Sequence, residues 1–162
     1  MIIREARSDT DWQQGCAILH RVYVGEGYTD TERAAQFQRR ERLEGEGVFL
    51  LALRDDGAVI GAVLFLNENS TLRQIAQPGE REFRMLAVHP SARGEGVGEA
   101  LVRECIRRAE TEQATGLVLW TQPTMLAAHR LYQRLGFVRD AERDVADPRG
   151  FLRLVYVRVC VR

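Results

Sequence analysis

The feature that most constrains this chain is the glycine-rich run Arg93-Gly94-Glu95-Gly96-Val97-Gly98, which lies between a strand pattern and a helix pattern. Residues 83–88 are typical of a β-strand, and an amphipathic helix pattern begins near Val97. The first N–H groups of a helix have no internal partners, the helix dipole favours an anion there, and glycines let consecutive N–H groups converge on one ligand. Arg93 adds a positive charge with fork geometry. The run therefore predicts a binding site for a phosphate-bearing ligand.

Two common phosphate-binding loops fit this run poorly. A P-loop needs a lysine after its last glycine, but Glu99 follows here and all 23 basic residues of the chain are arginine. A dinucleotide-binding loop needs the spacing G-x-G-x-x-G and an acidic residue at the end of the next strand. The glycines at 94, 96 and 98 have another spacing, and strand 116–120 is followed by Thr121 and Gln122. For the loop taken alone, a tight strand-to-helix turn without a ligand remains the alternative.

The composition indicates a single globular domain over residues 1–162. Hydrophobic residues make up 45% of the chain and charged residues 28%, as in soluble proteins, and no apolar run approaches the ~20 residues of a membrane span. The N-terminus does not resemble a signal peptide. The three cysteines fit neither a disulfide framework nor a zinc site, which favours a reducing, cytoplasmic location without a metal. The zero net charge predicts no nucleic-acid partner.

Periodicity and turn residues predict a mixed α/β chain in which Asp55-Asp56-Gly57 closes a hairpin. Residues 67–81 are polar and are predicted to form a long loop. Trp12, Trp120 and Cys105 are predicted in the core. The predicted elements are strand 2–6, helices 9–24 and 31–43, strands 48–54, 59–66 and 82–88, helix 97–113, strand 116–120, helix 124–135, and strands 137–143 and 151–161.

Three motifs in the right order resemble those of the GNAT N-acetyltransferase superfamily. Arg93, Gly96 and Gly98 fit the pattern [Arg/Gln]-x-x-Gly-x-[Gly/Ala] of its pyrophosphate loop. Residues 85–90 are similar to the strand before that loop, and residues 128–137 match the helix ending Ala-x-x-Leu-Tyr-x-x-x-Gly-Phe. The likeness is specific over residues 82–137 and extends to the whole chain by element order.

The resemblance implies an α+β fold with a mostly antiparallel, splayed sheet of about seven strands and about four helices. It implies acetyl-CoA as cosubstrate, no metal, and direct transfer of the acetyl group in a ternary complex to the primary amine of a small molecule or peptide. Superfamily members often dimerise, although the sequence shows no interface signature. The implied CoA-binding residues are a strand segment that pairs with the pantetheine arm and supplies an oxyanion donor, Leu86, Ala87 and Val88, and the loop residues Arg93, Gly94, Glu95, Gly96, Val97, Gly98 and Glu99.

The resemblance also implies two catalytic residues, Glu82 and Tyr132. In the histone-acetylating branch a glutamate lies eleven positions before the loop motif, which here is Glu82, the candidate general base. The alternatives are an exposed strand glutamate, a water chain as base, and pairing of Glu82 with Arg84. Tyr132 matches the helix tyrosine that protonates the leaving thiolate, for which a phenol with a pKa near ~10 is suited. A buried core tyrosine is its alternative.

One position departs from the superfamily pattern. An asparagine that contacts CoA commonly lies three residues before the helix alanine, and Met125 stands there instead. Gln122 and Thr124 are the nearest polar substitutes. A weaker CoA contact, or one made by another residue, is therefore expected.

The acceptor pocket is expected, by resemblance, in segments 25–32 and 139–150. Their acidic side chains suit a cationic amine, although solvated charged loops explain them equally well. A carboxylate held by Arg84 or Arg149 would instead favour an amino acid. A non-catalytic CoA-binding module on the same fold is the functional alternative.

Overall fold

The computed structural model describes residues 1–160 and contains one open, mostly antiparallel sheet. The strands are β1 Ile2–Glu5, β2 Gly47–Leu53, β3 Val59–Leu66, β4 Glu80–Val88, β5 Gly116–Thr121, β6 Val138–Arg139, β7 Val145–Ala146 and β8 Leu152–Val159. Their order in the sheet is β1-β2-β3-β4-β5-β8-β6, with β7 paired to β8. The helices are α1 Asp9–Tyr23, α2 Thr31–Phe37, α3 Arg40–Leu43, α4 Val97–Thr111 and α5 Leu126–Arg134. This architecture confirms the predicted mixed α+β fold class.

Local sequence signals explain where several elements begin and end. Ser8 caps α1 in a capping box with Asp11, which satisfies N–H groups that the helix leaves unpaired. Gly57 adopts a φ of +88° and closes the hairpin between β2 and β3. Both strands are buried on their two faces because α4 covers one face of the sheet and α1 the other.

Two predicted elements are interrupted in the structure. The predicted helix 31–43 is broken between α2 and α3, because Gln38 has a ψ of 53° and Arg39 is extended. The predicted strand 137–143 keeps only β6, followed by a short 3₁₀ turn at Ala141–Arg143. The Asp144 carboxylate accepts hydrogen bonds from the Arg139 guanidinium and the Val155 N–H, which replaces further strand pairing there. The predicted last strand extends to residue 161, which lies outside the described residues.

A bulge in β4 sets up the centre of the molecule. Ala62 pairs with Ala87, whereas Leu64 pairs with Arg84, so β4 carries one residue more than β3 between these pairs. Met85, in this interval, has a φ of +62°, which is rare for a residue with a side chain. The bulge bends β4 and redirects its backbone.

The sheet divides between β4 and β5. These two strands are parallel and pair only over residues 80–82 and 116–118. Beyond that point β4 continues to Val88 and β5 to Thr121 without pairing to each other. The divergence leaves a gap at the centre of the sheet. Among the described residues, no helix has the length and hydropathy needed to cross a membrane.

Candidate active site

A cleft of about 660 Å³ opens where β4 and β5 diverge, and we call it the donor cleft. Its walls come from the end of α1, the second half of β4, the glycine-rich loop, the start of α4 and α5. Nine of the ten predicted CoA-binding residues line it: Leu86, Ala87, Val88, Arg93, Gly94, Gly96, Val97, Gly98 and Glu99. The tenth, Glu95, directs its carboxylate to the Arg54 guanidinium at 3.1–3.2 Å instead.

The glycine-rich loop presents a row of unused backbone donors to the donor cleft. Within the described part of the chain, no hydrogen bond engages the N–H groups of residues 94–99. Gly94 and Gly96 have φ values of +81° and +80°, which is where the loop requires glycine. Gly96 is also the N-cap of α4 and provides no side-chain cap. The loop and the helix N-terminus therefore form a cradle suited to an anionic group such as a pyrophosphate.

Gly98 is required for a different reason, because α5 packs closely on this turn. A Cβ at this position would lie 3.3 Å from Leu131 Cδ2 and 3.5 Å from Val88 Cγ2. Any larger side chain would extend into the donor cleft or displace its wall.

Arg93 is ion-paired across the mouth of the donor cleft. Its Nη1 donates to Glu26 Oε1 at 2.7 Å, and its Nη2 bonds the other carboxylate oxygen. This hydrogen bond raises the pKa of Arg93 above its ordinary value. The same guanidinium is predicted to bind a phosphate, and in that case Glu26 would compete with the ligand for Arg93.

A second cavity of about 220 Å³ adjoins the donor cleft, and we call it the acceptor chamber. Tyr23 and Met125 line both cavities and form their common boundary. The chamber walls include four arginines, Arg33, Arg42, Arg84 and Arg149, and no aspartate or glutamate.

Tyr23 lines both cavities, although no sequence motif pointed to it. Its hydroxyl donates to the Leu86 carbonyl at 3.0 Å and so connects the end of α1 to the bulged part of β4. Burial raises the pKa of this phenol above its ordinary value. No motif surrounds Tyr23, and only its position at the end of α1 brings it to the boundary between the cavities.

Trp120 is not a core residue, contrary to the sequence-based expectation. It is partly exposed and lines the acceptor chamber, where its indole N–H donates to Gln74 Oε1. The Arg153 and Arg84 guanidinium carbons lie 4.7 and 5.8 Å from its ring centre. The predictions for Trp12 and Cys105 are confirmed, with 7% and 0% exposure.

Glu82 lies beneath the wall of the acceptor chamber and lines neither cavity. Its side chain is 1% exposed, and its carboxylate accepts hydrogen bonds from the N–H groups of Gln74, Ile75 and Ala76 at 2.9–3.2 Å. It forms no ion pair with Arg84 among the described contacts. The carboxylate therefore anchors the segment that carries Gln74 into the chamber, and its role as general base stays a prediction.

Tyr132 is buried at 4% exposure and packs on an aromatic cluster formed with Phe83, Phe137 and Tyr156. Burial raises the pKa of its phenol above the ordinary value. Its hydroxyl makes no hydrogen bond with any described residue. Its neighbour Leu131 lines the donor cleft, whereas Tyr132 lies behind that wall.

The acidic residues of the predicted acceptor segments do not line the acceptor chamber. Asp30 caps α2 through the Arg33 N–H, and Asp144 pairs with Arg139. Asp147 is buried and paired with Arg149 and Arg153, and the hydrogen bond from Arg149 holds its pKa well below the usual range. Among the described residues, the chamber is lined by arginine and by no carboxylate, so the acidic pocket that the two segments suggested does not form there.

Met125 is placed at the N-cap of α5, where it faces both cavities. Its sulfur lies 3.5 Å from Thr121 Oγ1. Of the two polar substitutes, Gln122 donates its amide to the Tyr28 carbonyl, whereas Thr124 lines the donor cleft. Thr124 is thus the side chain that remains available to a ligand in the cleft.

Comparisons with known proteins agree with this geometry. The model of the Acetyltransferase (GNAT) family matches residues 10–137. An uncharacterized N-acetyltransferase of Schizosaccharomyces pombe is 34% identical over 91 residues, which are 56% of this chain and 52% of that protein. The chain spans about half or less of the length of the curated relatives that it matches.

Solved structures show the same fold at low sequence identity. A GNAT acetyltransferase from Staphylococcus aureus has a TM-score of 0.76 and 16% identity, with 99% of both chains covered. An aminoglycoside 6'-N-acetyltransferase complexed with coenzyme A has a TM-score of 0.75 and 15% identity, with 100% of this chain and 98% of the other covered. Since the family model covers most of the chain and the fold agrees throughout, this chain belongs to the GNAT acetyltransferase family.

Proposed function

We propose that this protein is an acetyl-CoA-dependent N-acetyltransferase that transfers the acetyl group directly to a primary amine in a ternary complex. The observation that carries the proposal is the common boundary of the two cavities at Tyr23 and Met125. A thioester in the donor cleft and an amine in the acceptor chamber would meet there without a covalent enzyme intermediate. Neither cavity is lined by a cysteine, and burial raises the pKa of the Cys16 thiol to about 11.

The donor would be held mainly by backbone groups. The free N–H groups of residues 94–99 and the Arg93 guanidinium are suited to the pyrophosphate. The backbone of residues 86–88 is suited to pairing with the amides of the pantetheine arm, in the manner of an added strand. When bound, acetyl-CoA supplies the activated acetyl group.

The reaction needs a base for the amine and an acid for the thiolate. The amine nitrogen forms a bond to the acetyl carbon while the carbon–sulfur bond breaks, so one proton leaves the amine and one joins the sulfur. We assign the acid role to Tyr132, because it stands at the tyrosine position of the superfamily's helix motif and its hydroxyl has no hydrogen-bond partner among the described residues. It lies directly behind Leu131 in the wall of the donor cleft, so the role requires its hydroxyl to reach the thioester past that wall. Glu82 is either the base or an anchor of the chamber wall, and its present hydrogen bonds favour the anchor.

An acetyl-transfer assay tests the proposal. The purified protein is incubated with acetyl-CoA and a panel of primary amines, and released thiol and acetylated product are measured together, the latter by mass spectrometry. We expect both products in equal amounts for at least one amine. Calorimetric titration with acetyl-CoA, with NADH as control, separates the alternative: acetyl-CoA binding without transfer to any amine would identify a CoA-binding module instead of an enzyme.

A further inference from the structure

The acceptor chamber carries positive charge that the protein does not neutralise. Of its four lining arginines, Arg149 is paired with Asp147 through two hydrogen bonds. The other three, Arg33, Arg42 and Arg84, have no carboxylate within 4.0 Å among the described residues. Three unpaired guanidinium groups around a cavity of about 220 Å³ form an electropositive site of small-molecule size.

Arg84 is the central residue of this site because it is withdrawn from solvent. It is half-buried on the bulged strand, where its Nη1 donates to the Leu72 carbonyl at 3.2 Å. A guanidinium has five N–H donors, and the described residues engage one of them. The negative charge of Glu82 acts on Arg84 without an ion pair, and the Glu82 oxygens already accept the N–H groups of residues 74–76.

Keeping an unpaired arginine in this position costs free energy. Burial lowers the pKa of Arg84, Glu82 and Tyr23 offset part of that effect, and the positive charges of Arg153 and Arg33 lower the pKa further. An anion in the chamber would favour the charged guanidinium, since it replaces lost hydration with a charge-assisted hydrogen bond. A cationic amine without an acidic group would be repelled by the unpaired guanidinium groups.

We propose that the acceptor is a small molecule with both a primary amine and an oxyanion, and that Arg84, assisted by Arg33 and Arg42, binds the oxyanion. An amino acid has this chemistry, and so does an aminoalkyl phosphate. This inference rests on the proposed function, because it names the substrate class of the same site.

Matched pairs of acceptors test the inference in the acetyl-transfer assay. Each L-amino acid is compared with its carboxamide, and phosphoethanolamine is compared with ethanolamine. We expect kcat/KM to be at least ~30-fold higher for the anionic member of one pair, as about 2 kcal/mol of charge-assisted hydrogen bonding would give. A preference for the amino acid over its carboxamide identifies the oxyanion as a carboxylate. A preference for phosphoethanolamine over ethanolamine identifies it as a phosphate.

Variants assign the preference to named residues. Arg84→Met is expected to reduce kcat/KM for the anionic acceptor at least ~30-fold and to abolish the preference over the neutral partner, with acetyl-CoA affinity unchanged. Arg42→Met leaves the Arg84–Leu72 contact intact and is expected to reduce kcat/KM for the anionic acceptor by a smaller factor. This second variant keeps the inference testable if Arg84→Met does not fold. Arg39→Met is the matched control, because Arg39 is exposed on the neighbouring segment and lines neither cavity.

The outcomes separate the two proposals. Equal or better transfer to the neutral partners by the wild-type protein would overturn the inference and leave the N-acetyltransferase function standing. If no acceptor is acetylated, calorimetry of the CoA-loaded protein with the same pairs decides: amino acid or phosphoethanolamine binding that Arg84→Met removes supports the anion site without the enzyme. An absence of such binding overturns both.

Discussion

The donor cleft and the acceptor chamber share a boundary but are built from different parts of the chain. The donor cleft offers mainly backbone groups from neighbouring segments: the second half of β4, the loop at residues 93–96 and the start of α4. The acceptor chamber offers side chains from segments far apart in sequence, including Arg33, Leu72, Trp120 and Arg149. A backbone cradle suits one constant ligand group, whereas a wall of side chains can change acceptor specificity without altering the fold.

The largest expected effect is the loss of the backbone cradle. Gly98→Glu should weaken acetyl-CoA binding at least ~100-fold, because its side chain would enter the cleft and its charge would repel the pyrophosphate at a cost of about 3 kcal/mol. Calorimetry measures the affinity, and circular dichroism checks folding. Thr111→Glu adds the same charge at the other end of α4 and should bind acetyl-CoA normally. Undiminished affinity in folded Gly98→Glu would refute the assignment of the cradle.

The second effect concerns the proposed acid behind the wall of the donor cleft. Tyr132→Phe should lower kcat about 100-fold, as expected for a general acid, while the dissociation constant for acetyl-CoA changes little. Steady-state kinetics and calorimetry measure the two quantities. Tyr156→Phe, in the same aromatic cluster, is the matched control and should retain kcat. Similar kcat values for both variants would mean that Tyr132 packs in the aromatic cluster and does not act as the acid.

A smaller effect distinguishes the two roles of Glu82. As an anchor of residues 74–76, its replacement in Glu82→Gln should lower kcat/KM about fivefold, the equivalent of about 1 kcal/mol, without changing the shape of the pH–rate profile. Glu104→Gln is the control, since Glu104 is a half-buried, ion-paired glutamate on α4 that lines neither cavity. Loss of the acidic limb of the profile, together with a 100-fold or greater fall in kcat, would instead establish Glu82 as the base.

The smallest effect sharpens the electrostatics of the donor cleft. Glu26→Gln should tighten acetyl-CoA binding about threefold, because the partly exposed Arg93–Glu26 pair has to open before Arg93 can bind a phosphate. The gain should shrink as salt is added. Glu110→Gln removes an ion-paired glutamate that lines neither cavity and serves as control. Weaker binding by Glu26→Gln would mean that Glu26 positions Arg93 rather than competing for it.

Most residues that line the donor cleft could be picked out in the sequence because the glycine-rich loop has local determinants, and their binding of CoA stays a prediction. Gly94 and Gly96 are needed for positive φ, and Gly98 is needed where α5 packs closely, so each requirement leaves a recognisable residue within one short segment. Glu95 does not line the donor cleft, because its carboxylate pairs with Arg54, which is 41 positions away in sequence. No local sequence pattern indicates such a partner.

The acceptor chamber could not be predicted in the same way. The acidic residues of segments 25–32 and 139–150 suggested a site for a cation. In the structure none of them lines the acceptor chamber, and Asp147 pairs with Arg149 and Arg153. Trp120 was expected in the core and lines the chamber instead. Whether a charged side chain is paired or free depends on contacts between distant segments, which composition does not reveal.

Family membership and the order of most elements could be read from the amino-acid sequence, because periodicity, caps and motif spacing act over a few residues. The fold had to be known to see that Tyr23 meets Leu86, that Glu82 accepts the N–H groups of residues 74–76, and that Arg84 has no carboxylate partner among the described residues. These contacts join residues from separate segments, so they depend on which strands diverge and which helices cover them.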